Sequence, residues 1–504
     1  MPRWPSSSTG RPADEAAPTR SFPWRRREQR RRDRFRGGAV SSVDADLGRV
    51  HFVGIGGAGM SGIARIMLTR GMQVSGSDAK DSAVLTALRA LGATVYIGHS
   101  AQHVAAADTV VVSNAIRPGN PELAAARAAD LRVLPRAGAL AWVMRGYRGV
   151  AVAGTAGKTT TTSMLTVAAQ RCGADPSFAI GGELNESGSN AHHGSGELFV
   201  VEADESDGSF LLLSPYAAIV TNVEPDHLDQ HGTAAAYVAA FDDFVGCIDA
   251  SGILVAGVDD AGARRVAVLA RDRGLRTRTY GVAPDSDLRL ESVAVRRDGT
   301  TYRAVVDGAF IGPVEVSVTG HHMALNSAAA LLAGMELGLP SGQLLEGLRA
   351  YRGVHRRFEL KGRAGGVTVY DDYAHHPTKV RAQLHAARVV AGQGRLIVAF
   401  QPHLFSRTKA FAAEFGAALG LADEVVVMEI AGVREDPLPG VTGALVAGAV
   451  TLPPEHVHYE PSWTAVAPLV TRLARPGDLV ITMGAGDVTM LGAEVLAELE
   501  ATAS

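Results

Sequence analysis

Several features are scarce in this sequence of 504 residues. It has two cysteines, Cys172 and Cys247, which lie far apart in the chain. A disulfide framework is therefore excluded as the source of stability, and we expect two small buried thiols in a reducing compartment, by default the cytoplasm. Apolar runs stay well short of the roughly 18 residues that a membrane-spanning helix needs, so we expect no membrane insertion.

Net charge is also small. The chain has 49 Lys and Arg against 52 Asp and Glu, a net charge of −3 at pH 7, but its first 40 residues carry 11 arginines and only four acidic residues. Such a segment can touch nucleic acid or a membrane surface, but we interpret residues 1–45 as a disordered, solvated basic tail and expect no nucleic-acid partner. Because no apolar segment follows the arginines, we do not interpret the tail as a secretory signal.

The rest of the chain alternates between strand and helix patterns. At ~100–200 residues per domain, its length predicts about three domains. We predict an α/β protein with a Rossmann-like domain at residues 46–149, a central P-loop ATPase-type domain at 150–357 and a Rossmann-like C-terminal domain at 358–504. Within the central domain, the stretch from Leu288 to Val318 is expected to be rich in β-strand.

A glycine-rich turn opens the first domain. Gly54–Gly59 follows an apolar strand and precedes a helix, and Asp78 ends the next strand. This is the arrangement in which a Rossmann fold binds a diphosphate and reads a ribose. Since such turns bind NAD, FAD or other diphosphates, the motif alone leaves a nicotinamide oxidoreductase open.

A second glycine-rich turn opens the central domain and reads Gly154-Thr155-Ala156-Gly157-Lys158-Thr159-Thr160. In this context backbone N–H groups cradle phosphates, Lys158 neutralises their charge and Thr159 offers a hydroxyl to Mg²⁺. The full P-loop pattern has Gly where this chain has Val152. Hydride transfer does not use a second phosphate cradle, so the loop predicts ATP binding and disfavours the oxidoreductase.

Clustered carboxylates follow two further strands. Glu202–Asp207 comes directly after one apolar strand, and Thr221–Asp229 follows another and places His227 between acidic residues. The carboxyl ends of strands are where α/β proteins bind ligands. Two such clusters beside a P-loop predict Mg²⁺ binding.

Taken together, these motifs resemble those of the ATP-dependent amide ligases that build the peptidoglycan stem peptide, the Mur ligase family. The resemblance covers roughly residues 48–495. It rests on motifs in this order: Gly154–Thr162, Glu202–Asp207, Thr221–Asp229, Arg356–Phe358, Asp371–Thr378, Gln401–His403 and Gly484–Asp487.

The resemblance implies an activity and a division of labour. It implies that ATP phosphorylates the carboxylate of UDP-N-acetylmuramate and that L-alanine then attacks the acyl phosphate. The first domain would hold the UDP-sugar, the central domain ATP and Mg²⁺, and the third domain the amino acid. We expect a monomer or a weak dimer.

Site residues are implied position by position. The ATP site is implied to comprise Gly154, Thr155, Ala156, Gly157, Lys158, Thr159 and Thr160, with Asn326 near the adenine and Arg357 at the transferring phosphoryl group. Thr159 and Glu202 are implied to hold one Mg²⁺ and His227 a second metal. The implied catalytic residues are Lys158, His227, Arg357 and His376, and His376 and Arg407 are implied to place the amino acid or product. The implied UDP-sugar site is Gly56, Gly57, Ala58, Gly59, Asp78, Ser113 and Asn114.

The chain departs from the family pattern in two respects. Ala156, Gly138, Met323 and Leu404 stand where the family has other residues, which affects the contacts expected at those four sites. In addition, no lysine occurs between Lys158 and Lys361. Related ligases use a carbamylated lysine in the central domain to bind the second Mg²⁺, so here His227 and nearby carboxylates would have to bind that metal.

Two alternative functions remain beside the oxidoreductase. A P-loop NTPase switch would hydrolyse ATP or GTP without any UDP-sugar. A recycling ligase would join a preformed tripeptide to the same UDP-sugar, although Ser206 and the Thr221–Asp229 segment favour the alanine-adding enzyme.

Overall fold

The computed structural model describes residues 46–113, 115–185, 187–432 and 435–503. The predicted basic tail and Asn114 lie outside the described residues. Within these ranges the chain forms three β-sheets, one after another along the sequence. No helix in these ranges is both long and apolar enough to cross a membrane.

The first sheet confirms the predicted Rossmann-like fold. Its strands are β1 (Val50–Val53), β2 (Val74–Asp78), β3 (Thr94–Ile97), β4 (Thr109–Val112) and β5 (Arg132–Pro135). Its helices are α1 (Ala58–Thr69), α2 (Ala83–Ala90), α3 (Pro121–Ala128) and α4 (Arg136–Val143), with a 3₁₀ turn at Ala101–Val104. All five strands are parallel, in the order β3-β2-β1-β4-β5, so the chain reverses direction across the sheet after β3, next to the glycine turn that follows β1. Ligands of such sheets bind at this switch point.

The second sheet has ten strands. They are β6 (Arg148–Ala153), β7 (Ser177–Ala179), β8 (Ala191–His192), β9 (Leu198–Glu202), β10 (Ala217–Val220), β11 (Ile253–Gly257), β12 (Arg276–Gly281), β13 (Leu288–Arg296), β14 (Gly299–Val306) and β15 (Ala309–Val316). The helices of this region are α5 (Lys158–Arg171), α6 (Leu228–His231), α7 (Ala234–Val245), α8 (Ala261–Asp272), α9 (His321–Glu336) and α10 (Ser341–Ala350), with a 3₁₀ turn at Ser209–Leu212.

Two kinds of strand pairing meet in this sheet, whose order is β15-β14-β13-β12-β11-β10-β6-β9-β7-β8. The strands around β6 are parallel, whereas β13, β14 and β15 form an antiparallel extension. This extension is the stretch between Leu288 and Val318 that was expected to be rich in β-strand. Strand β6 begins at Arg148, so the predicted boundary between residues 149 and 150 falls inside a strand. The domain boundaries themselves stay a prediction.

The third sheet is again mostly parallel. It contains β16 (Glu359–Ala364), β17 (Val367–Asp372), β18 (Leu396–Phe400), β19 (Glu424–Val427), β20 (Val457–Tyr459) and β21 (Leu479–Met483) in the order β16-β17-β21-β18-β19-β20. Strand β16 pairs antiparallel with β17 at one edge, a pairing that the strand pattern did not predict. The helices here are α11 (Pro377–Ala391), α12 (Phe405–Leu419), α13 (Ala444–Ala447), α14 (Trp463–Leu473) and α15 (Leu491–Ala503), with 3₁₀ turns at Pro454–His456 and Asp487–Met490.

The apolar cores show how the three regions are joined. Phe52 and Ile63 of the first region belong to the same buried cluster as Phe199 and Phe241 of the second. The third sheet instead buries clusters of its own on its two faces. The first two regions therefore share a continuous apolar core, whereas the contacts to the third region at the cleft described below are largely polar. Cys172 and Cys247 are thiols, as predicted, but half-buried rather than fully buried.

Candidate active site

The phosphate loop lies between β6 and α5, as predicted. Gly154 has φ +135° and Gly157, the residue before α5, has φ +84°. A Cβ on Gly154 would lie 2.0 Å from Thr221 Oγ1, and one on Gly157 would lie 2.5 Å from Asn326 Oδ1. Both positions require glycine, because the backbone conformation and the lack of space each exclude a side chain. The loop and the start of α5 line a cleft of about 1120 Å³, so the N–H groups of the first helical turn, which have no intrahelical acceptor, lie beside it.

The first half of the loop is bonded to the protein itself. Thr155 N–H donates to Asn222 O at 3.0 Å, and Ala156 N–H donates to Asn222 Oδ1 at 2.9 Å. Thr221 Oγ1 donates to Ala156 O at 2.6 Å. The amides of Thr155 and Ala156 therefore shape the loop, while both residues line the cleft together with the segment from Gly157 to Thr160. Their contact with phosphate stays a prediction.

Lys158 bends back over the loop. Its Nζ donates to Gly154 O at 2.7 Å and lies 2.6 Å from Glu205 Oε2. Burial alone would lower the pKa of Lys158, but the carboxylates of Glu205, Asp204 and Glu202 outweigh burial and raise it. Lys158 is therefore a positive charge at the edge of the cleft throughout the physiological pH range.

Thr159 brings together groups from two regions. Its Oγ1 lies 3.1 and 3.0 Å from the two carboxylate oxygens of Glu202, at the end of β9. Arg357 Nη2, just before the third sheet, donates to the same Oγ1 at 3.0 Å. The structure thus unites three predicted site residues within one hydrogen-bonded group.

The residues around Thr159 fit a magnesium ion. Hydroxyl and carboxylate oxygens are the ligands that Mg²⁺ prefers, and it commonly keeps water and substrate phosphates as further ligands. In the part of the chain that the structure describes, no three His, Cys, Asp or Glu side chains are arranged to hold a metal ion alone. Thr159 and Glu202 therefore fit a metal whose remaining ligands come from phosphate and water.

His227 lies on the same cleft. It precedes α6 with φ +51°, and its Nε2 is 3.6 Å from Asp226 Oδ2. Burial lowers the pKa of His227 to about 4, against the opposing effect of Asp226. The ring is therefore neutral near pH 7 and has a lone pair for a metal.

The cleft continues along α9. Asn326 is 6% exposed and lies against Gly157 of the phosphate loop. Beyond it the cleft is lined by Tyr280, His322 and Met323. The contact of Asn326 with adenine stays a prediction.

A buried carboxylate joins the second and third regions. Asp226 is fully buried and accepts hydrogen bonds from Arg407 Nη2 at 2.8 Å and Nε at 3.2 Å. Lys379 Nζ lies 3.7 Å from Asp226 Oδ2. Burial would raise the pKa of Asp226, but Lys379 and Arg407 lower it well below its usual range. Arg407 lines the cleft while its guanidinium contacts Asp226 across the two regions, and its role in placing the amino acid stays a prediction.

His376 also joins these two regions. Its Nε2 donates to Pro225 O at 3.3 Å and its ring packs edge-on against Phe411, with centroids 5.3 Å apart. The side chain is 4% exposed, whereas the neighbouring His375 lines the cleft. His375 therefore faces the cleft and His376 packs beside it, and the role of His376 in placing the amino acid stays a prediction.

A second cavity, of about 240 Å³, separates the first and second regions. Gly57, Ala58, Gly59 and Ser113 line it from the first region, as predicted, and Glu202 lines it from the second. Basic and acidic side chains meet there, because Arg136 Nη2 at the start of α4 donates to Asp204 Oδ2 at 3.3 Å. This cavity therefore leads from the first glycine turn to the carboxylates beside the phosphate loop.

Asp78 ends β2, as predicted, and its carboxylate is bonded within the glycine turn. Its Oδ2 accepts the Gly56 N–H at 2.9 Å and its Oδ1 accepts the Ala79 N–H at 2.8 Å. The carboxylate closes the glycine turn, so a sugar contact by Asp78 or Gly56 stays a prediction without support from the cavity lining.

Sequence reasoning missed residues that act through the core. Asn222 and Glu205 lie inside motifs that the sequence had marked, but their partners Ala156 and Lys158 are distant along the chain. Tyr237, which contacts Thr155, carried no sequence signal at all. Such pairings depend on how strands adjoin, which one sequence does not state.

Fold and cleft together define the class: an α/β ligase-type architecture with a P-loop domain between two Rossmann-like regions. The chain matches, in order, the Mur ligase family, catalytic domain (residues 49–148), the Mur ligase middle domain (152–334) and the Mur ligase, glutamate ligase domain (356–486). It belongs to the Mur ligase family.

Relatives narrow the class further. The chain is 61% identical over 468 residues to the UDP-N-acetylmuramate–L-alanine ligase of Saccharopolyspora erythraea, covering 92% of this chain and 95% of the relative. It is 56% identical to the ligase of the same name from Acidothermus cellulolyticus, covering 89% and 94% of the two chains.

Solved structures agree with this grouping. The UDP-N-acetylmuramate-alanine ligase of Thermotoga maritima superposes with a TM-score of 0.75 at 27% identity, covering 90% of this chain and 99% of that one. A murein peptide ligase from Psychrobacter arcticus gives a TM-score of 0.68 at 25% identity, with 90% and 98% coverage. The fold is common to both, so it does not by itself separate the two activities.

Proposed function

We propose that this chain is an ATP-dependent ligase that joins L-alanine to the carboxylate of UDP-N-acetylmuramate, releasing ADP and phosphate, in peptidoglycan precursor synthesis. The observation that carries the chemistry is the group formed by Thr159, Glu202 and Arg357 next to Lys158 in one cleft. The identity of 61% to a ligase of this name supports the choice of substrates.

The reaction requires activation because a carboxylate repels nucleophiles and oxide is a poor leaving group. A carboxylate oxygen attacks the γ-phosphorus of ATP, the bond to the bridging oxygen breaks, and ADP leaves. Lys158 and Arg357 are positioned to stabilise the charge on the transferring phosphoryl group. Bound at Thr159 and Glu202, with His227 serving a second metal, Mg²⁺ would neutralise phosphate charge.

The amine then completes the amide. Its nitrogen attacks the acyl carbon, the bond to the phosphate oxygen breaks, phosphate leaves and the ammonium loses a proton. Water would hydrolyse the acyl phosphate, so a closed cleft protects it. The contacts of Asp226 with Arg407 and Lys379 support such closure, and His375 is the cleft residue that we assign to the amino-acid end.

The division of labour follows from the cavities. We assign the UDP-sugar to the first domain (residues 46–149), around Gly57, Gly59 and Ser113, and ATP to the central domain (150–357). The third domain (358–504) would receive L-alanine. We assign the reaction to the cytoplasm, in keeping with two cysteines that form no disulfide, and to a monomer or weak dimer.

One assay tests the substrate assignment. ADP release is measured with UDP-N-acetylmuramate and, in turn, L-alanine, D-glutamate or a tripeptide. Of the three amines, we expect only L-alanine to stimulate ADP release strongly. We also expect a hydroxamate when hydroxylamine is added to trap the acyl phosphate. Faster release with the tripeptide would replace our proposal with the recycling ligase, and release that ignores the UDP-sugar would indicate an NTPase switch.

A further inference from the structure

Glu205 differs from its neighbours in the acidic segment after β9. Glu202, Asp204, Ser206 and Asp207 all line the cleft. The Glu205 side chain is fully buried and points beneath the phosphate loop. It is therefore close to the nucleotide site without facing the nucleotide.

Several contacts hold the Glu205 carboxylate in place. Oε2 lies 2.6 Å from Lys158 Nζ, and Oε1 accepts a hydrogen bond from Tyr237 Oη at 3.3 Å. The Tyr237 hydroxyl is also 2.8 Å from Thr155 Oγ1 of the loop. The backbone is held as well, because His231 Nε2 donates to Glu205 O at 2.8 Å.

The contacts restrict the ammonium group of Lys158. It has three N–H donors, of which one donates to Gly154 O, and the ion pair with Glu205 Oε2 at 2.6 Å restricts how the group turns about that bond. A phosphate in the cleft can take only a donor that these two contacts leave free. Without Glu205, nothing among these contacts would fix the rotation of the group beyond the single bond to Gly154.

We infer that Glu205 is a positioning residue for ATP-dependent ligation, which aims the free N–H of Lys158 at the transferring phosphoryl group. The inference rests on the proposed function for the reaction but not on the identity of the amine or sugar. Its negative charge lies near phosphates, so it weakens nucleotide binding in the ground state while it improves alignment in the transition state.

These opposite effects give a distinctive expectation for Glu205→Gln. The amide keeps the size of the side chain and removes its charge. We expect ADP to bind about threefold more tightly by calorimetry and kcat to fall by about tenfold or more, since misplaced donors cost rate. A purely structural residue would show weaker binding and a lower melting temperature together.

Two further variants complete the test. Glu205→Asp keeps the charge but, with a shorter side chain, places it farther from Lys158. We therefore expect kcat to fall severalfold while the ADP dissociation constant stays near that of the parent. Glu346→Gln breaks the exposed Arg171–Glu346 pair and makes the same chemical change far from the loop; it should change neither quantity.

The outcomes separate cleanly. The inference fails if kcat of Glu205→Gln stays within twofold, or if kcat and ADP affinity both fall. Should that variant not fold, an unchanged kcat in Glu205→Asp overturns the inference. The substrate proposal stands or falls on the parent enzyme alone, through its choice of amine.

Discussion

The two glycine-rich turns occupy equivalent places in their sheets but are held in different ways. Each follows a central parallel strand and ends in a glycine that precedes a helix: Gly57 before α1 and Gly157 before α5. Gly57 has φ −61° and Gly157 has φ +84°. The first turn is closed by one carboxylate, Asp78, whereas the second is packed against Thr221, Asn222 and Asn326.

The difference concerns what each turn can do. The first offers N–H groups and a helix N-terminus, which suit a diphosphate that is only held. The second adds a lysine, a threonine hydroxyl and a carboxylate, which suit a phosphoryl group that is transferred. A glycine turn therefore indicates phosphate binding, and the side chains around it indicate whether a phosphoryl group is transferred.

The largest expected effect comes from removing Lys158, a cation of the second turn that has no counterpart in the first. Lys158→Ala should lower the rate of ligation by about 10³-fold, because a donor to the transition state is lost, and it should also lower the melting temperature, because the buried Glu205 carboxylate loses its ion-pair partner. Steady-state ADP release and a melting curve measure the two quantities. Lys409→Ala, on the exposed surface of α12, is the matched control. Near-normal turnover of Lys158→Ala would remove the ATP-site assignment.

Replacing the glycine before the helix by alanine, in each turn separately, compares the two turns directly. Gly157→Ala should lower the free energy of unfolding by about 1–3 kcal/mol. It should also abolish most ATP binding, because Gly157 has a positive φ and a Cβ there would clash with Asn326. At Gly57 a Cβ meets its nearest atom at 3.5 Å, an ordinary contact. Gly57→Ala should leave stability and ATP binding unchanged and raise only the KM for the UDP-sugar. Equal losses of ATP binding in both variants would contradict the separate assignments.

The metal site sharpens the comparison further. His227→Ala should lower kcat by roughly tenfold and raise the Mg²⁺ concentration needed for half-maximal activity, because a nitrogen ligand is removed. Its control is His192→Ala, which breaks an exposed contact with Asp175. An unchanged Mg²⁺ titration would show that His227 is not a ligand.

The smallest expected effect is that of CO₂ depletion, which should leave activity unchanged. Because no lysine lies between Lys158 and Lys361, activity should be the same in CO₂-depleted buffer as with added bicarbonate. ADP release under both conditions measures this. Rescue by bicarbonate would point to a carbamylated lysine, with Lys379 in the cleft as the residue to substitute first.

The fold and the outline of the site could be predicted because local sequence patterns specify both. The apolar strand, glycine turn and helix around Gly154 specify the phosphate loop, and the apolar strand predicted before the carboxylates of Glu202–Asp207 is observed as β9. The motif did not separate His375 from His376, because adjacent residues share it, and only the packing of His376 against Phe411 distinguishes them.

Contacts between regions were beyond a sequence-based prediction. Arg407 and Asp226 are 181 residues apart in the chain and meet only through the arrangement of two sheets. Likewise, the motif indicated that Asp78 lies near a ribose-reading position but did not indicate that its carboxylate accepts the Gly56 N–H.

The Arg407–Asp226 pair also bears on how long a complex lasts. Arg407 comes from α12 and Asp226 from the loop before α6, and they are 5% and 0% exposed, so any separation of the third region would return two buried charges to solvent. Dissolved electrolyte stabilises separated charges more than paired ones. The residence time of bound product is therefore tied to ionic strength, and an enzyme limited by product departure would turn over faster as salt is added.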